Sequence, residues 1–233
     1  MLPLVTRLGR TALDLLFPCW CLGCGREGSL ICDTCRRKLP EIEAPFCPRC
    51  GMPQTSGVLC AACRSNKHKI DGIRSPFRFE GVMCQAIHQF KYNNLRAIAS
   101  PLAHLLGDYL AKNPISADII VPVPLHRRRL RERGYNQSEL LAKELSKITG
   151  LPVAKDSLIR QQYSQPQARA ASAIERHKNV AGAFICRGDN LKDKSIILID
   201  DVATSGATLD ACAAALKATV GGKVWGLTLA REV

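Results

Sequence analysis

The sequence predicts an α/β protein built on a parallel sheet and preceded by a small cysteine-rich module. Short apolar runs that are rich in β-branched residues, as at 118–124 and 195–199, have the length and composition of buried parallel strands. These runs alternate with helical patterns, an order that gives right-handed crossovers and a mostly parallel sheet. Eight of the 12 cysteines fall in four C-x-x-C pairs ahead of this region, between Cys21 and Cys63.

Composition and charge bound the possible functions. The chain has 233 residues, of which 46% are hydrophobic and 23% charged, and this indicates a globular protein with one core and a small second module. The formal net charge of +13 is unevenly placed, since residues 126–178 carry 12 Lys and Arg against five Asp and Glu. We therefore expect a polyanionic ligand at that segment rather than a generally basic surface.

The first segment, residues 1–18, has the pattern of an amphipathic helix. Arg7, Arg10 and Asp14 interrupt its apolar run, so it is too broken for a secretory signal or a membrane span. With only two basic residues, the segment is also a poor match to a membrane-surface helix. We expect a cytoplasmic protein without a membrane span, in which cysteine pairs bind metal rather than form disulfides.

The cysteine pairs of residues 19–65 predict two structural zinc sites. A C-x-x-C pair directs two thiolates at one ion, and two pairs complete a closed tetrahedral site. The spacing favours one zinc for each consecutive half, although a cross-braced pairing stays open, and Cys19 is a competitor for Cys21. The predicted zinc ligands are Cys21, Cys24, Cys32, Cys35, Cys47, Cys50, Cys60 and Cys63.

Residues 66–117 are expected to form a linker and a helical segment, and residues 118–233 the core. The pattern predicts a strand over 74–80 and helices over 82–90 and 95–110. After the strand at 118–124 comes a basic loop, 126–137, with five arginines in seven residues. Because ligands bind at the carboxyl edge of open α/β sheets and guanidinium groups suit phosphate oxygens, we expect one or two of these arginines to contact phosphate.

The remaining core elements follow in order. Asn136 or Ser138 should cap a helix that ends at Gly150. Beyond it we expect a strand, a polar mobile loop, and a short helix. The predicted ranges are strands at 153–159, 183–186, 194–199 and 224–229, a loop at 160–169 and a helix at 171–180.

The stretch 195–209 carries the clearest chemical pattern. A buried strand, Ile196–Ile199, ends in Asp200 and Asp201, and a turn rich in hydroxyls and small residues then leads into a helix. Backbone N–H groups at a helix N-terminus favour a phosphate, whereas adjacent aspartates suit the hydroxyls of a ribose, with a divalent cation close by. The alternatives are a solvated turn or the magnesium-binding strand of a P-loop NTPase, but the chain has no G-x-x-x-x-G-K-[ST] loop.

This stretch closely resembles the PRPP-binding motif of type I phosphoribosyltransferases from Ile196 to Thr208. With the segment 133–137 (R-G-Y-N-Q), the Gln-rich loop and the cysteine module, the chain resembles the ComF/GntX family over nearly its whole length. The resemblance implies a type I phosphoribosyltransferase core, a parallel five-stranded sheet flanked by helices, with a small hood and an N-terminal double zinc ribbon.

The resemblance also implies roles for individual residues. Asp200 and Asp201 would hold the ribose hydroxyls of PRPP. The 5-phosphate would be bound by Ala203, Thr204, Ser205, Gly206, Ala207 and Thr208. Pyrophosphate, bridged by Mg²⁺, would lie near Arg127, Arg128, Arg129 and Arg133, and a flexible loop carrying Gln162, Gln165, Arg169 and Arg176 would close over the site.

The implied reaction is displacement of pyrophosphate at the ribose anomeric carbon. Purine-salvage members carry an acidic residue where this chain has Thr204, so purine salvage does not fit. Kinship further implies a role in natural competence, with single-stranded DNA and other competence proteins as partners. A protein that senses PRPP or handles single-stranded DNA without transferase turnover is the alternative.

Overall fold

The computed structural model describes residues 19–161, 180, 182–188 and 190–233. The helix expected over 1–18 and nearly all of the one expected over 171–180 lie outside the described residues. Helices in chain order are α1 (Asp33–Arg36), α2 (Ala61–Ser65), α3 (Gly81–Tyr92), α4 (Ala99–Lys112), α5 (Arg127–Arg133), α6 (Gln137–Thr149) and α7 (Ala207–Leu216), with a 3₁₀ turn at Arg96–Ile98. Strands are β1 (Gly72–Arg74), β2 (Phe77–Arg78), β3 (Ile119–Pro122), β4 (Leu158–Arg160), β5 (Phe184–Cys186), β6 (Ile196–Ala203) and β7 (Val224–Arg231).

Five of these strands form one parallel sheet, as predicted. The order is β1-β7-β6-β3, and β2 continues the β1 edge by pairing with the end of β7. The long central strands β6 and β7 pair from Ile196 opposite Val224 to Ala203 opposite Arg231. The carboxyl ends of β3 and β6 therefore meet at one edge of the sheet.

Both faces of the sheet are covered. Side chains alternate along a strand, so Ile197 and Ile199 belong to the core formed with α3, α4 and α6. Ile196 and Leu198 belong to the opposite core, formed with α7 and the β4–β5 pair. All four side chains are fully buried. The apolar run that marked β6 in the sequence is thus explained by burial on two sides.

The region 153–160 differs from the prediction. Instead of adding a full parallel strand, it makes a single parallel bridge, Val153 with Ile120, and then forms β4, which pairs antiparallel with β5. Pro152 has no N–H to donate to the ladder, and the chain turns immediately after Ala154. The predicted segment is therefore divided between the sheet edge and a separate hairpin-like pair.

The basic segment is a helix, α5, and the prediction of a loop was wrong. The His126 ring accepts a hydrogen bond from the N–H of Arg128 (3.2 Å), and Gly134, with φ of 79°, ends the helix. Arginine, leucine and glutamate between these two signals are good helix formers. The helix gives the five arginines different directions, so they cannot all face one ligand.

Strand β6 is longer than predicted. It continues through Asp200 and Asp201 to Ala203, because β7 extends as far as Arg231 and supplies a partner. The two aspartates therefore lie within a strand, where successive side chains point to opposite faces of the sheet. Gly206 then begins α7 with a φ of 78°.

The cysteine module packs on the outer side of α3 and α4. Leu22, Leu30 and Ile31 contact the core that these helices share. Arg36 of α1 forms an ion pair with Asp108 of α4. The N–H of Ile73 in β1 donates to the carbonyl of Arg49 (2.6 Å), so the module also caps the sheet's β1 edge.

In the part of the chain that the structure describes, every helix is too short or too polar to cross a lipid bilayer.

Candidate ligand site and metal centres

The two aspartates at the carboxyl edge of β6 are held by Lys91, by Ser138 and by a hydrogen bond between them. Asp201 is buried, and its Oδ1 lies 2.8 Å from the Lys91 Nζ at the end of α3. Asp200 Oδ1 accepts hydrogen bonds from the Ser138 hydroxyl (3.0 Å) and from the Asp201 N–H (2.9 Å). Asp201 is thus held by α3 through Lys91, and Asp200 is held by α6 through Ser138.

The charges of this group are coupled. Burial, together with the Asp201 carboxylate, raises the pKa of Asp200 from 3.8 to about 7. Burial works to lower the pKa of Lys91, but Asp201, and more weakly Asp200, outweigh it and raise that pKa. Around neutral pH the site therefore has one ion pair, Lys91 with Asp201, and a second carboxyl group, Asp200, that is partly protonated. Such a pair of carboxyl groups can accept hydrogen bonds from two adjacent hydroxyls.

The hydroxyl-rich turn, residues 204–208, follows directly from the end of β6. Thr204, Ser205 and Thr208 are partly exposed, whereas Gly206 is buried. The positive φ of Gly206 favours glycine, and a Cβ there would lie 2.8 Å from Ile73 Cδ1, so the end of that side chain would have to move. The Ser205 hydroxyl lies 3.4 Å from the N–H of Ala207. The turn therefore presents hydroxyls and N–H groups at the N-terminus of α7, where a phosphate is favoured.

Two further cations, Arg160 and Arg129, belong to this region. Arg160, the last residue of β4, stacks over the Phe184 ring at 5.5 Å. Burial and the nearby Arg129 lower the pKa of Arg160, and Asp200 acts against them. Arg160 is therefore within electrostatic range of both Arg129 and Asp200, and the two guanidinium groups favour an anion between them.

A cavity of about 400 Å³ opens beside Lys91. It separates the predicted pyrophosphate residues into two groups: Arg129 and Arg133 line it, whereas Arg127 and Arg128 lie on the exposed side of α5. The Arg133 guanidinium lies 5.4 Å over the ring of the exposed Tyr92. The residues that line the cavity are Lys91, Tyr92, Asn94, Arg129, Glu132, Arg133 and Tyr135. Three cations against one carboxylate make it an electropositive cavity next to Asp200 and Asp201, which we call the acid pair.

The predicted flexible-loop residues Gln162, Gln165, Arg169 and Arg176 lie outside the described residues. Ala203 and Ala207, predicted to bind the 5-phosphate, are buried at the two ends of the turn.

Sequence reasoning missed Lys91 and Arg160 as site residues. Arg160 carried a usable signal, since it follows an apolar run and so stands at the end of a strand, as Asp200 does. Lys91 carried none, because a lone lysine at the end of an amphipathic helix resembles any surface lysine. Ser138 was identified only as a possible helix cap; Asn136 caps α6, and Ser138 binds Asp200 instead.

The eight paired cysteines form two groups, and the consecutive pairing is confirmed. The first cysteine group is Cys21, Cys24, Cys32 and Cys35, and the second cysteine group is Cys47, Cys50, Cys60 and Cys63. Within each group the sulfurs lie within 4.8 Å of one another, and Cys19 belongs to neither. The Cys24–Cys32 and Cys50–Cys60 sulfurs are 3.6 and 3.7 Å apart, close to the roughly 3.8 Å edge of a zinc tetrahedron with 2.3 Å bonds.

The backbone around both groups favours thiolates. Burial works to raise the pKa of Cys21 and of Cys47, but backbone N–H groups outweigh it and lower each pKa to about 6. Among these groups, the N–H of Cys32 lies 3.4 Å from the Cys21 sulfur, and that of Cys60 lies 3.5 Å from the Cys47 sulfur. The residues thus fit two structural zinc ions, each with four protein ligands and no open position.

Comparisons with known proteins agree with this arrangement. Residues 12–64 match the double zinc ribbon domain. The DNA utilization protein YhgH of Escherichia coli K12 is 30% identical over 201 residues, which cover 82% of this chain and 86% of the relative. The competence protein ComFC of Bacillus subtilis is 29% identical over 186 residues (77% and 74%), and competence protein F of Haemophilus influenzae is 29% identical over 212 residues (86% and 90%).

Solved phosphoribosyltransferases align with 55% of the chain. They include the glutamine PRPP amidotransferase of Bacillus subtilis in complex with ADP and GMP (TM-score 0.37, 21% identity, 26% of that chain). The purine phosphoribosyltransferase of Pyrococcus horikoshii aligns with a TM-score of 0.35 and 18% identity over 71% of its chain. The parallel sheet, the double zinc ribbon and the relatives that match along most of their length lead to one assignment: this chain belongs to the ComF family, with a parallel α/β core behind an N-terminal double zinc ribbon.

Proposed function

We propose that this protein binds PRPP at the carboxyl edge of β6 and transfers its phosphoribosyl group to an acceptor. One observation carries the proposal: an acid pair and a helix N-terminus rich in hydroxyls adjoin within a single segment, residues 200–208, with cations on either side. Ribose 5-phosphate has the same sequence of groups, a diol followed at a short distance by a phosphate.

The acid pair suits the diol. With Asp201 neutralised by Lys91, two carboxyl groups can accept hydrogen bonds from the ribose hydroxyls without a large uncompensated charge. Ser138 holds Asp200 in place through its 3.0 Å hydrogen bond. The 5-phosphate would then lie on the hydroxyl-rich turn, among the partly exposed hydroxyls of Thr204, Ser205 and Thr208.

The pyrophosphate would lie towards the electropositive cavity. Lys91, Arg129 and Arg133 line it, and Arg160 approaches from β4. Mg²⁺ prefers oxygen ligands and would neutralise the pyrophosphate when bound. Of the two aspartates, Asp200 is the better direct ligand, because the Lys91 ammonium already contacts Asp201 at 2.8 Å.

The chemistry would be cleavage of the bond between the anomeric carbon and the pyrophosphate oxygen, with the acceptor forming the new bond. Positive charge develops on the ribose ring and negative charge on the leaving group. The cations of the cavity would stabilise the leaving pyrophosphate, and the acid pair would position the ribose. Thr204 cannot take up a proton from the acceptor, so an acceptor that ionises by itself or a base outside the turn is required.

A second function, single-stranded DNA handling, is favoured by the other half of helix α5. Arg127, Arg128 and Arg131 are exposed and do not line the cavity, so they remain accessible to a second polyanion. Relatives carry the names competence protein and DNA utilization protein. We propose that these arginines contact phosphates of incoming single-stranded DNA in the cytoplasm, together with other competence proteins, and that binding weakens as salt rises.

Calorimetric titration of the zinc-loaded protein with PRPP, with and without Mg²⁺, tests the first function. We expect binding by the wild type and its loss in the double variant Asp200→Asn/Asp201→Asn, whereas Asp108→Asn, a carboxylate on the exposed side of α4, should bind as the wild type does. Equal binding by the double variant would contradict the proposal. Release of pyrophosphate in the presence of candidate acceptors then separates a transferase from a sensor that only binds.

Titration with a fluorescent single strand tests the second function. Changing Arg127, Arg128 and Arg131 to glutamine should weaken DNA binding and flatten its salt dependence, while PRPP binding is unchanged. Unaltered DNA binding would remove α5 from the interface.

A further inference from the structure

Helix α3 carries a row of aromatic rings on its solvent side. The Phe79 ring, just before the helix, is stacked on the His88 ring, with centroids 6.0 Å apart and planes 20° apart. The His88 and Tyr92 rings are 5.6 Å apart, and the Arg133 guanidinium at the end of α5 lies 5.4 Å over the Tyr92 ring. Four planar groups therefore follow one another at spacings of 5.4 to 6.0 Å, and we call these four residues the aromatic row.

The core does not depend on most of this row. His88 and Tyr92 are one helical turn apart and exposed, Tyr92 by 68%, which is more than any other large hydrophobic side chain of the described residues. Only Phe79 is partly buried and packs against the core. The buried side of α3 is formed by Met83, Ala86, Ile87 and Phe90. A contiguous group of exposed rings, unlike a single one, marks an interaction surface.

The charge beside the row is positive. Arg133 belongs both to the row and to α5, and the other face of that helix exposes further arginines: Arg127, Arg128 and Arg131. The acidic residue of α5, Glu132, is paired with Arg128 (3.0 Å) and so offsets only one of these charges. A partner of this surface must therefore offer negative charge and planar apolar groups together.

Unpaired nucleotides have this combination. Proteins hold single strands by stacking bases on aromatic rings and on guanidinium planes, while basic side chains follow the phosphates. The aromatic row offers the rings, and α5 offers the phosphate contacts directly beside them, since Arg133 lies over Tyr92. In a duplex the faces of the bases are already stacked on one another, so the row would select single strands.

We propose that the aromatic row is the base-stacking platform of this protein for single-stranded DNA. The inference rests on the proposed DNA-handling function and extends it: the arginines of α5 contact the phosphates, and His88 and Tyr92 receive the bases. Binding then has an electrostatic part, which salt weakens, and a stacking part, which salt affects much less. The stacking part requires bases but tolerates any sequence, because every base has a π-face.

Titration of the zinc-loaded, full-length protein with two fluorescent strands tests this proposal. One strand is oligothymidylate, and the other is an abasic strand of equal length, which keeps the phosphates and lacks the bases. At high salt the wild type should bind oligothymidylate at least about tenfold more tightly than the abasic strand, as expected for one or two stacked bases. The double variant His88→Leu/Tyr92→Leu should lose this difference, whereas its affinity for the abasic strand should stay the same.

Two further variants serve as controls. Tyr92→Phe keeps the ring and should keep the difference between the two strands. Trp20→Leu removes a ring that is also exposed, by 54%, but belongs to the cysteine module, and it should change neither affinity. Loss of the difference in Tyr92→Phe, or an equal loss in Trp20→Leu, would contradict stacking on the aromatic row.

The outcomes separate this proposal from the DNA-handling function on which it rests. Equal affinity of the wild type for the two strands would overturn the platform but leave the phosphate contacts of α5 in place. A wild type that binds neither strand, even at low salt, would overturn both. A difference that persists in His88→Leu/Tyr92→Leu would place the bases elsewhere. Binding to phosphatidylserine vesicles that the double variant loses, with equal affinity for the two strands, would assign the row to a membrane surface instead.

Discussion

Replacing Asp200 with asparagine should stabilise the ligand-free protein, and the gain should grow with pH. Burial and the neighbouring Asp201 raise the pKa of Asp200 from 3.8 to about 7. Between these two values the folded protein keeps a proton that the unfolded chain has lost, so stability falls as pH rises through this range and is level above it. Asparagine does not titrate. The difference in the free energy of unfolding between the variant and the wild type therefore grows with pH as the buried Asp200 carboxyl group loses its proton.

The magnitude follows from the pKa. The pKa of about 7 lies roughly 1.5 pH units above pH 5.5, and each unit corresponds to about 1.4 kcal/mol. The gain in the free energy of unfolding from Asp200→Asn should therefore increase by about 2 kcal/mol between pH 5.5 and pH 8. This is an upper limit, because the side chain retains some contact with water. For a chain of this size it corresponds to a rise of about 4–8 °C in the difference between the two Tm values.

Thermal unfolding of the zinc-loaded proteins at the two pH values measures this difference. Asp201→Asn is the control, since it removes the partner of Lys91 at 2.8 Å instead of relieving a repelled carboxylate. Breaking such a buried pair costs about 3 kcal/mol, so the Asp201→Asn protein should unfold at a lower temperature than the wild type. A gain for Asp200→Asn that does not change between pH 5.5 and 8 would refute the argument that Asp200 is the carboxyl group with the raised pKa.

Three further predictions follow from the same contacts. Lys91→Met should lower the free energy of unfolding by about 3 kcal/mol in urea and weaken PRPP binding, because both aspartates lose their cation; an unchanged unfolding midpoint would contradict the ion pair. Gly206→Val should lower Tm by at least about 2 °C, from the positive φ and the contact with Ile73, and a wild-type Tm would show that the turn has another conformation. Removing zinc with a strong chelator should lower Tm by more than either substitution, since structural zinc contributes its binding energy to folding; an apo protein with the same Tm would exclude structural zinc.

The sequence was most informative where one local pattern determines the structure. The apolar run 196–199 predicted a buried central strand, and the C-x-x-C spacing predicted two four-cysteine groups, because each pattern needs only its own segment to be read. The ends of α6 were predicted equally well, since Asn136, one of the two candidate caps, begins the helix and Gly150 ends it.

Prediction failed where the outcome depended on a distant partner. The end of β6 was placed four residues early because its extension depends on the length of β7, which ends at Arg231. Helix α5 was predicted as a loop because five arginines in seven residues have no apolar period, so only the caps His126 and Gly134 mark the helix. Lys91 went unnoticed because its importance comes from the buried Asp201 that it meets in space.

The most direct test of the central claim is a crystal structure of the zinc-loaded protein with PRPP and Mg²⁺. The account predicts the ribose hydroxyls within hydrogen-bonding distance of Asp200 and Asp201, the 5-phosphate on the hydroxyl-rich turn, and the pyrophosphate towards Arg129 and Arg133. PRPP bound with its 5-phosphate on helix α5 and no contact to the acid pair would contradict that claim.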